Sequence, residues 1–312
     1  EEALYSDRSE ADLAASLELI MTELAQPATD EFSPLELSSL NFQSHIEQTA
    51  FEKMVEEARS LIRQGDMFQC VLSQRFSAEY SGRPLDYYRN LRVTNPSNYL
   101  YFYDFGDYQI IGASPESLVS VKQGQVTTNP IAGTRPRGKD EREDKALAKE
   151  LLADEKEVAE HRMLVDLGRN DIGKIAQNNS VEVTKYMEVE YFRYVMHLTS
   201  VVRGQLLPQL TAMDALKSTL PAGTVSGAPK IRAMKRIYEL EQEKRGVYAG
   251  AIGYLSATGD MDVAIAIRTM ILKNGRAYVQ AGAGIVYDSI PANEYQETIN
   301  KAKSMTKIGE MQ

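Results

Sequence analysis

Two arginines lie in a short segment of glycines and prolines that could bind an anion. Residues 130–138 read Pro-Ile-Ala-Gly-Thr-Arg-Pro-Arg-Gly. Gly133 permits a backbone bend and lets a ligand approach the main chain closely. Arg135 and Arg137 carry the planar guanidinium group that binds carboxylate or phosphate in a bidentate manner. The alternative is a surface turn with two solvated arginines, and this segment alone leaves both interpretations open.

Two further glycine-rich segments are candidate ligand-binding loops. Residues 221–230 end where a helix is predicted to start, and a helix N-terminus with free N–H groups favours an anion. The order of residues in this segment is not that of a Walker A loop. Residues 280–284, Gln-Ala-Gly-Ala-Gly, lie at the end of a predicted strand and lack the third glycine of a dinucleotide fingerprint. Each loop taken alone is more typical of a structural turn.

Carboxylates at helical spacing form the third candidate. Glu157 and Glu160 are three residues apart, as are Glu294 and Glu297, and Lys301 follows Glu297 by four residues. Each set lies on one helix face, which is usually a solvated charged surface. If the two helices converge, one carboxylate from each could bind Mg²⁺, which completes its shell with water and substrate oxygens.

The elements that must position these residues form a mixed α and β pattern. Strands occur in clusters instead of regular βαβ alternation, so an α+β fold is predicted. Asn274-Gly275 is a hairpin signal. A capping box at residues 9–12 predicts the first helix. The remaining helices are predicted at 49–64, 142–167 (one helix or two), 211–220, 229–243 and from 291 onward. Strands are predicted at 68–80, 99–105, 108–111, 118–128, 181–186, 195–203, 248–256, 261–272 and 276–281.

Composition limits the possible functions. The 312 residues carry 35 basic and 44 acidic side chains, a net charge of −9, which argues against a general nucleic-acid or acidic-membrane partner. No apolar run reaches the roughly 20 residues that span a bilayer. The single cysteine, Cys70, fits a reducing compartment. The chain opens with Glu1, so we expect a fragment of a longer protein. Residues 1–48 are predicted to be a helix and connector, and residues 49–312 the catalytic domain.

Seven segments together resemble the chorismate-utilising enzymes. They are residues 130–138, 155–171, 223–230, 248–254, 264–269, 280–284 and 294–303. The resemblance implies two β-sheets packed face to face with helices outside, and the N-terminal part of the family fold missing from this chain. It also implies a cytoplasmic enzyme of tryptophan biosynthesis. Such an enzyme would convert chorismate and ammonia to anthranilate and pyruvate with Mg²⁺, taking ammonia from a glutamine amidotransferase subunit, component II.

Two positions separate the branches of the family. Aminodeoxychorismate synthases commonly carry a nucleophilic lysine where this chain has Ala132. Isochorismate and salicylate synthases carry a water-activating lysine where this chain has Gln69, and an amide is no general base. The anthranilate-forming branch therefore fits best. The alternatives are an aminodeoxychorismate synthase component I and a non-catalytic chorismate-binding subunit.

The resemblance also implies roles for individual residues. Glu116 is the expected general acid for the departing ring hydroxyl, His197 is expected to help remove the proton lost with pyruvate, and Thr224 completes the catalytic group. Glu160 and Glu297 are the expected Mg²⁺ ligands, with Glu157 and Glu294 beside them. The expected substrate-binding residues are Gly133, Thr134, Tyr248, Arg268, Gly282, Ala283, Gly284 and Lys301.

An inhibitory tryptophan pocket is a further implication of the resemblance. Asn98, Tyr99 and Leu100 match part of that pocket, although Asn98 replaces a proline that is often found there. The other part belongs to the region that precedes this chain in the family. The resemblance therefore does not determine whether feedback inhibition operates in this chain.

Overall fold

The computed structural model describes residues 7–27, 40–192 and 195–306. The chain divides into two units, residues 1–34 and residues 35–312. The first unit contains helix α1, Glu10–Ala25. Its N-cap Ser9 and the Asp12 side chain form the predicted capping box, in which each side chain bonds the other residue's backbone N–H.

The second unit contains two antiparallel sheets. The first sheet comprises β1 Gln43–Ser44, β2 Gln69–Glu79, β3 Tyr99–Asp104, β4 Tyr108–Ser114, β10 Gly227–Ala228, β13 Thr269–Lys273 and β14 Arg276–Ile285. The second comprises β5 Ser117–Lys122, β6 Gln125–Thr128, β7 Ile131–Pro136, β8 Glu182–Tyr191, β9 Val195–Gln205, β11 Ala251–Leu255 and β12 Met261–Ile265. In the first sheet the strand order is β1-β2-β14-β13-β4-β3, and β10 also pairs with β2. In the second sheet the order is β11-β12-β5-β6-β9-β7, and β8 also pairs with β9.

Seven helices of the described residues accompany these sheets. They are α2 Gln48–Arg63, α3 Pro84–Thr94, α4 Glu141–Ala153, α5 Glu155–Gly173, α6 Ala212–Thr219, α7 Lys230–Glu241 and α8 Pro291–Thr306. A short 3₁₀ turn, Gly223–Val225, precedes α7. None of the helices in the described part of the chain has the length and apolarity needed to cross a membrane. The predicted α+β class with two β-sheets and flanking helices is confirmed, and the structure adds that both sheets are antiparallel.

The hydrophobic core consists of clusters between sheets and helices. Side chains of the first sheet pack against α3 and α8 in one cluster and against α2 and α7 in another. The second sheet packs against α5 and α6, and a smaller cluster joins β9 to α4. Burial of this apolar surface is the main stabilising contribution to the fold. It anchors α5 and α8, the two helices that carry the candidate metal ligands.

Several local predictions are confirmed with their physical cause. Residues 274 and 275 connect β13 to β14 with positive φ at both positions, as a two-residue hairpin of type I′ requires. The charged stretch after residue 140 forms two helices and not one. Asp154 separates them, because its carboxylate accepts from the N–H groups of Lys156 and Glu157 and so caps α5.

Other boundaries were wrong. The strand predicted over residues 261–272 is two strands, because the chain bends at Arg268, which has a φ of +49°. Residues 280–284 lie at the end of a strand, as predicted, but that strand, β14, continues to Ile285 and not only to residue 281. The predicted loop at 130–138 is largely β7. Helix α2 begins at Gln48, one residue before the predicted start at residue 49. Residues 43 and 44, predicted to be connector, pair with β2, and residues 28–39 of that connector lie outside the described residues.

Candidate active site

A cavity of about 760 Å³ gathers residues from both sheets and from helices α5 and α8. Its walls include all but one of the residues that the sequence predicted to be catalytic, substrate-binding or metal-binding. The predicted residues that line it are Glu116, Gly133, Thr134, Glu157, Glu160, His197, Thr224, Tyr248, Arg268, Gly282, Gly284, Glu294, Glu297 and Lys301. The exception is Ala283. Its methyl group lies on the opposite face of β14, in the core against α2 and α7, because side chains alternate along a strand.

Glu116 is the best placed acid in this cavity. It lies between β4 and β5, where its carbonyl accepts from the Ile265 N–H at 3.0 Å. The Thr224 hydroxyl donates to Glu116 Oε1 at 2.8 Å. Burial raises the pKa of Glu116 to about 7, while the Thr224 hydrogen bond and the Lys301 charge act in the opposite direction. Glu116 therefore holds a proton at neutral pH for an appreciable fraction of the time and can act as a general acid.

His197 is held as a neutral imidazole. Its Nδ1 lies 2.9 Å from the Gly133 carbonyl oxygen and 3.1 Å from Thr134 Oγ1. A carbonyl can only accept, so Nδ1 carries the proton and Nε2 is the basic nitrogen. Burial lowers the pKa of His197. Gly133 makes this contact possible, because its φ of +68° produces an irregularity in β7 opposite β9.

Gly282 and Gly284 leave room for two side chains above β14. A Cβ atom at Gly282 would lie 2.6 Å from the Tyr248 hydroxyl, and one at Gly284 would lie 2.8 Å from Gln69 Nε2. Both positions therefore require glycine if Tyr248 and Gln69 are to reach into the cavity. Burial raises the pKa of Tyr248 to about 12, so the phenol remains a neutral donor.

Arg268 is a cation without a carboxylate partner among the described residues. Its Nη1 donates to the Lys301 carbonyl at 2.6 Å and to Ser304 Oγ at 2.7 Å. Burial lowers its pKa, which reflects the cost of keeping this charge away from water. Lys301 Nζ pairs with Glu297 at 2.6 Å and donates to the Gly282 carbonyl at 3.1 Å. A ligand carboxylate would supply the missing counter-charge of Arg268.

Four carboxylates from two helices face the same cavity. The pKa of Glu157 is raised by burial and by the charges of Glu160 and Asp154. Burial likewise raises the pKa of Glu294, and the neighbouring Glu297 adds to the effect. Like charges held this close destabilise each other, and a divalent cation would relieve that repulsion.

The donor set fits Mg²⁺, although the site is not a closed cage. In residues 7–27, 40–192 and 195–306, no three potential ligands converge closely enough to form one. Glu160 accepts from Gln69 Nε2 at 3.1 Å, and Glu297 is paired with Lys301. One or two carboxylates with several waters is the usual coordination of Mg²⁺ in proteins.

Comparison with known proteins identifies the family. The model of the chorismate binding enzyme family matches residues 2–307. The chain belongs to this family. The resemblance predicted from the motifs is therefore confirmed.

Several similar proteins carry the same name. Anthranilate synthase component 1 of Lactococcus lactis is 58% identical over 310 residues, which cover 99% of this chain and 68% of that protein. The protein of the same name from Aquifex aeolicus is 53% identical and aligns with 87% of this chain and 55% of its own length. The crystal structure of anthranilate synthase component I from Streptococcus pneumoniae is 77% identical, with a TM-score of 0.91 over 98% of this chain and 68% of that one. The chain thus spans little more than half to about two thirds of the relatives it matches.

Arg135 and Arg137 do not line the large cavity and instead pair with carboxylates of the chain. Arg135 Nη2 pairs with Asp154 at 2.7 Å, and Arg137 Nε pairs with Asp144 at 3.0 Å. Helix α4 and the Asp154 cap supply these carboxylates. The loop before α7 also differs from the prediction. Thr224 lines the cavity, but Lys230 at the helix start is buried in an ion pair with Asp171 at 2.6 Å.

The side chains of the three residues predicted for an inhibitor pocket lie in different surroundings. Asn98 lines the large cavity itself. The Tyr99 hydroxyl donates to Asp262 Oδ1 at 3.0 Å, and Leu100 packs against the core cluster that includes α3 and α8. Their inhibitory role stays a prediction.

Sequence reasoning missed Phe192 and Lys156 in the cavity wall. The Phe192 ring meets His197 edge-on, with 5.4 Å between ring centroids. Lys156 lies beside Glu157 at the start of α5 and lines the cavity. No spacing rule marks either residue, because each reaches the cavity only through the placement of its element.

Proposed function

We propose that this chain is the large subunit of an anthranilate synthase, which converts chorismate and ammonia to anthranilate, pyruvate and water. The observation that carries the proposal is one cavity in which Glu116, with a pKa near 7, shares the walls with neutral His197 and with Arg268, a cation without a carboxylate partner among the described residues. The similarity to proteins named anthranilate synthase component 1 supports it.

Each side chain has a task in this reaction. Ammonia bonds to the ring while the Glu116 proton moves to the ring hydroxyl, which leaves as water, and the ring ammonium so formed loses one proton to solvent. His197 Nε2 then accepts the ring proton as the bond to the enolpyruvyl oxygen breaks, and the departing enolate takes up a proton to become pyruvate. Arg268 and the Tyr248 hydroxyl hold substrate carboxylate and ring oxygens, which places the reacting atoms and lowers the entropic part of the barrier.

Mg²⁺ is the proposed cofactor. Glu160 and Glu297 would hold it, with Glu157 and Glu294 adjacent, and its charge would offset that of a substrate carboxylate. The raised pKa of Glu157 and of Glu294 supports a cation at this wall.

Ammonia is the proposed nucleophile, because no side chain at the two positions that distinguish the branches of the family could take a proton from water. Ala132 and Gln69 both line the cavity. The Gln69 amide donates to Glu160 and cannot take up a proton. Aminodeoxychorismate synthase is the second candidate, since it also aminates chorismate. Against it, Ala132 has no nucleophilic atom.

A glutamine amidotransferase subunit is the proposed ammonia source. The only cysteine of the chain, Cys70, is buried in β2, and burial raises its pKa to about 12, so it is no glutaminase nucleophile. A free buried thiol is also compatible with the reducing cytoplasm, which we propose as the location.

We expect the purified chain to form anthranilate from chorismate, Mg²⁺ and an ammonium salt at raised pH, and no product from glutamine alone. Chromatographic product analysis tests this directly. Aminodeoxychorismate would favour the second candidate, and no product with ammonium would favour a non-catalytic subunit. Glutamine-dependent anthranilate without a second protein would refute a separate amidotransferase.

Gln69→Lys tests the choice of nucleophile. Burial lowers the pKa of a lysine whereas Glu160 would raise it, so only part of the lysine would be a free base. We expect less anthranilate, with some isochorismate or salicylate formed by attack of water. The matched control is Gln125→Lys on the exposed side of β6, which should leave the products unchanged. Undiminished anthranilate synthesis by Gln69→Lys would mean that position 69 does not face the reacting ring.

A further inference from the structure

A second, much smaller cavity lies behind Glu116. Its volume is about 60 Å³, and we refer to it as the rear chamber. Glu116, Leu164 and Thr224 line both this chamber and the large cavity, so the Glu116 side chain forms part of the partition between them. The outer end includes the partly exposed residues Asn129 and Gly168.

The rear chamber contains a buried hydroxyl without a protein partner. Thr128, at the end of β6, is 8% exposed, and its Oγ1 has no hydrogen-bond partner among the described residues. Leaving such a group unsatisfied is unfavourable, so buried hydroxyls are normally bonded to protein or water. Ser117 Oγ, also in the chamber wall, interacts with the Tyr99 hydroxyl, which leaves the Thr128 hydroxyl as the group that most needs a partner in the chamber.

The chamber has space for the missing partner. A buried water needs on the order of 10–15 Å³ of free volume and two to four polar groups. Gly168 on α5 preserves that space, because a Cβ atom there would lie 3.1 Å from Thr128 Oγ1. The polar atoms of Thr128, Ser117 and Glu116 would serve a short chain of waters.

Glu116 needs such a connection on its rear side. After its proton has moved to the leaving hydroxyl, Glu116 is a carboxylate and must regain a proton before the next turnover. A substrate or product in the large cavity covers the side that also faces Lys301 and Tyr248. In the chamber the other titratable group is Asp171, which is held in ion pairs with Lys230 at 2.6 Å and Lys174 at 3.1 Å and so is not free to donate.

We propose that the rear chamber holds ordered water that returns protons from solvent to Glu116, with Thr128 as the residue that positions this water. A chamber water gives one proton to the Glu116 carboxylate and takes one from the next water toward solvent, so the chain of waters is unchanged and solvent supplies the proton. This inference rests on the proposed function for its catalytic consequence, but the water site itself does not.

Variants of the chamber test the proposal. Thr128→Val removes the hydroxyl at nearly constant size, and Gly168→Ala places a methyl group in the chamber. For both variants we expect kcat of the ammonia-dependent reaction to fall about tenfold, which is a fraction of what general acid catalysis supplies. The KM for chorismate should stay unchanged, and the solvent deuterium isotope effect on kcat should become larger. Thr128→Ser keeps the hydroxyl and should restore kcat. The matched control is Thr199→Val, because Thr199 is a buried threonine of β9 that lies outside the chamber.

A high-resolution crystal structure of the wild-type chain separates this proposal from the proposed function. We expect an ordered water bonded to Thr128 Oγ1, absent in Thr128→Val. If the wild type makes no product, infrared spectroscopy of the Glu116 carboxyl still tests the relay, since hydrogen–deuterium exchange should slow in Thr128→Val when chorismate occupies the cavity. A Thr128 hydroxyl bonded only to protein, or kcat and isotope effects equal to wild type in both variants, would overturn it.

Discussion

Replacing Glu160 or Glu297 by glutamine is expected to reduce anthranilate formation on the order of 100-fold or more, because a divalent cation contributes several kcal/mol of charge stabilisation. Glutamine keeps the size of each side chain and removes the charge. The two residues lie on different helices, α5 and α8, and both face the large cavity. We therefore expect both variants also to bind Mg²⁺ more weakly, as measured by isothermal titration calorimetry.

The matched control for the metal prediction is Glu155→Gln. Glu155 begins α5 but is exposed and does not line the cavity. Its replacement should leave the Mg²⁺ dependence of the rate unchanged. Near wild-type rates at low Mg²⁺ concentration in both Glu160→Gln and Glu297→Gln would show that these carboxylates are not the ligands.

Replacing Glu116 by glutamine is expected to lower kcat by about 10²–10⁴-fold, the range that general acid catalysis contributes. The amide cannot give a proton to the departing hydroxyl. Chorismate binding should persist, because Arg268 and Tyr248 remain in place. A Glu116→Gln variant with wild-type kcat would contradict the role of this residue.

The pH dependence gives an independent measurement of the same group. A general acid must be protonated, so the rate per neutral ammonia should fall as pH rises through about 7, the pKa of Glu116. The rate must be expressed in this way because the neutral fraction of ammonia increases with pH. Thr224→Val removes a hydrogen bond that lowers the pKa of Glu116, so the falling limb should move to higher pH. A limb at unchanged pH in this variant would mean that another group controls it.

The chemical roles of positions 69, 116 and 132 were predictable because the motifs around them resemble those of the chorismate-utilising enzymes. The paired glutamates at spacing three were predictable from helix periodicity, which places them on one helix face. The hairpin at Asn274-Gly275 and the Ser9 cap were predictable as well, since neighbouring residues alone determine such turns.

Whether those residues form one site was decided by the tertiary structure. Glu160 and Glu297 meet at one cavity because α5 packs on the second sheet and α8 on the first. The role of Arg135 depended on Asp154, whose capping of α5 placed a carboxylate beside the arginine. Side-chain alternation in β14 turned Ala283 away from the cavity while Gly282 faces it.

Electrostatic properties also came only from the folded chain. Glu116 has a pKa near 7 because burial removes water around it, and no feature of its sequence neighbours indicates that burial. Arg268 lies at a bend with positive φ and without a carboxylate partner among the described residues, whereas the sequence predicted a strand through this position. Local patterns thus determined which chemical groups are present. Long-range packing determined their distances, their solvation and therefore their reactivity, because these are sums over residues far apart in the chain.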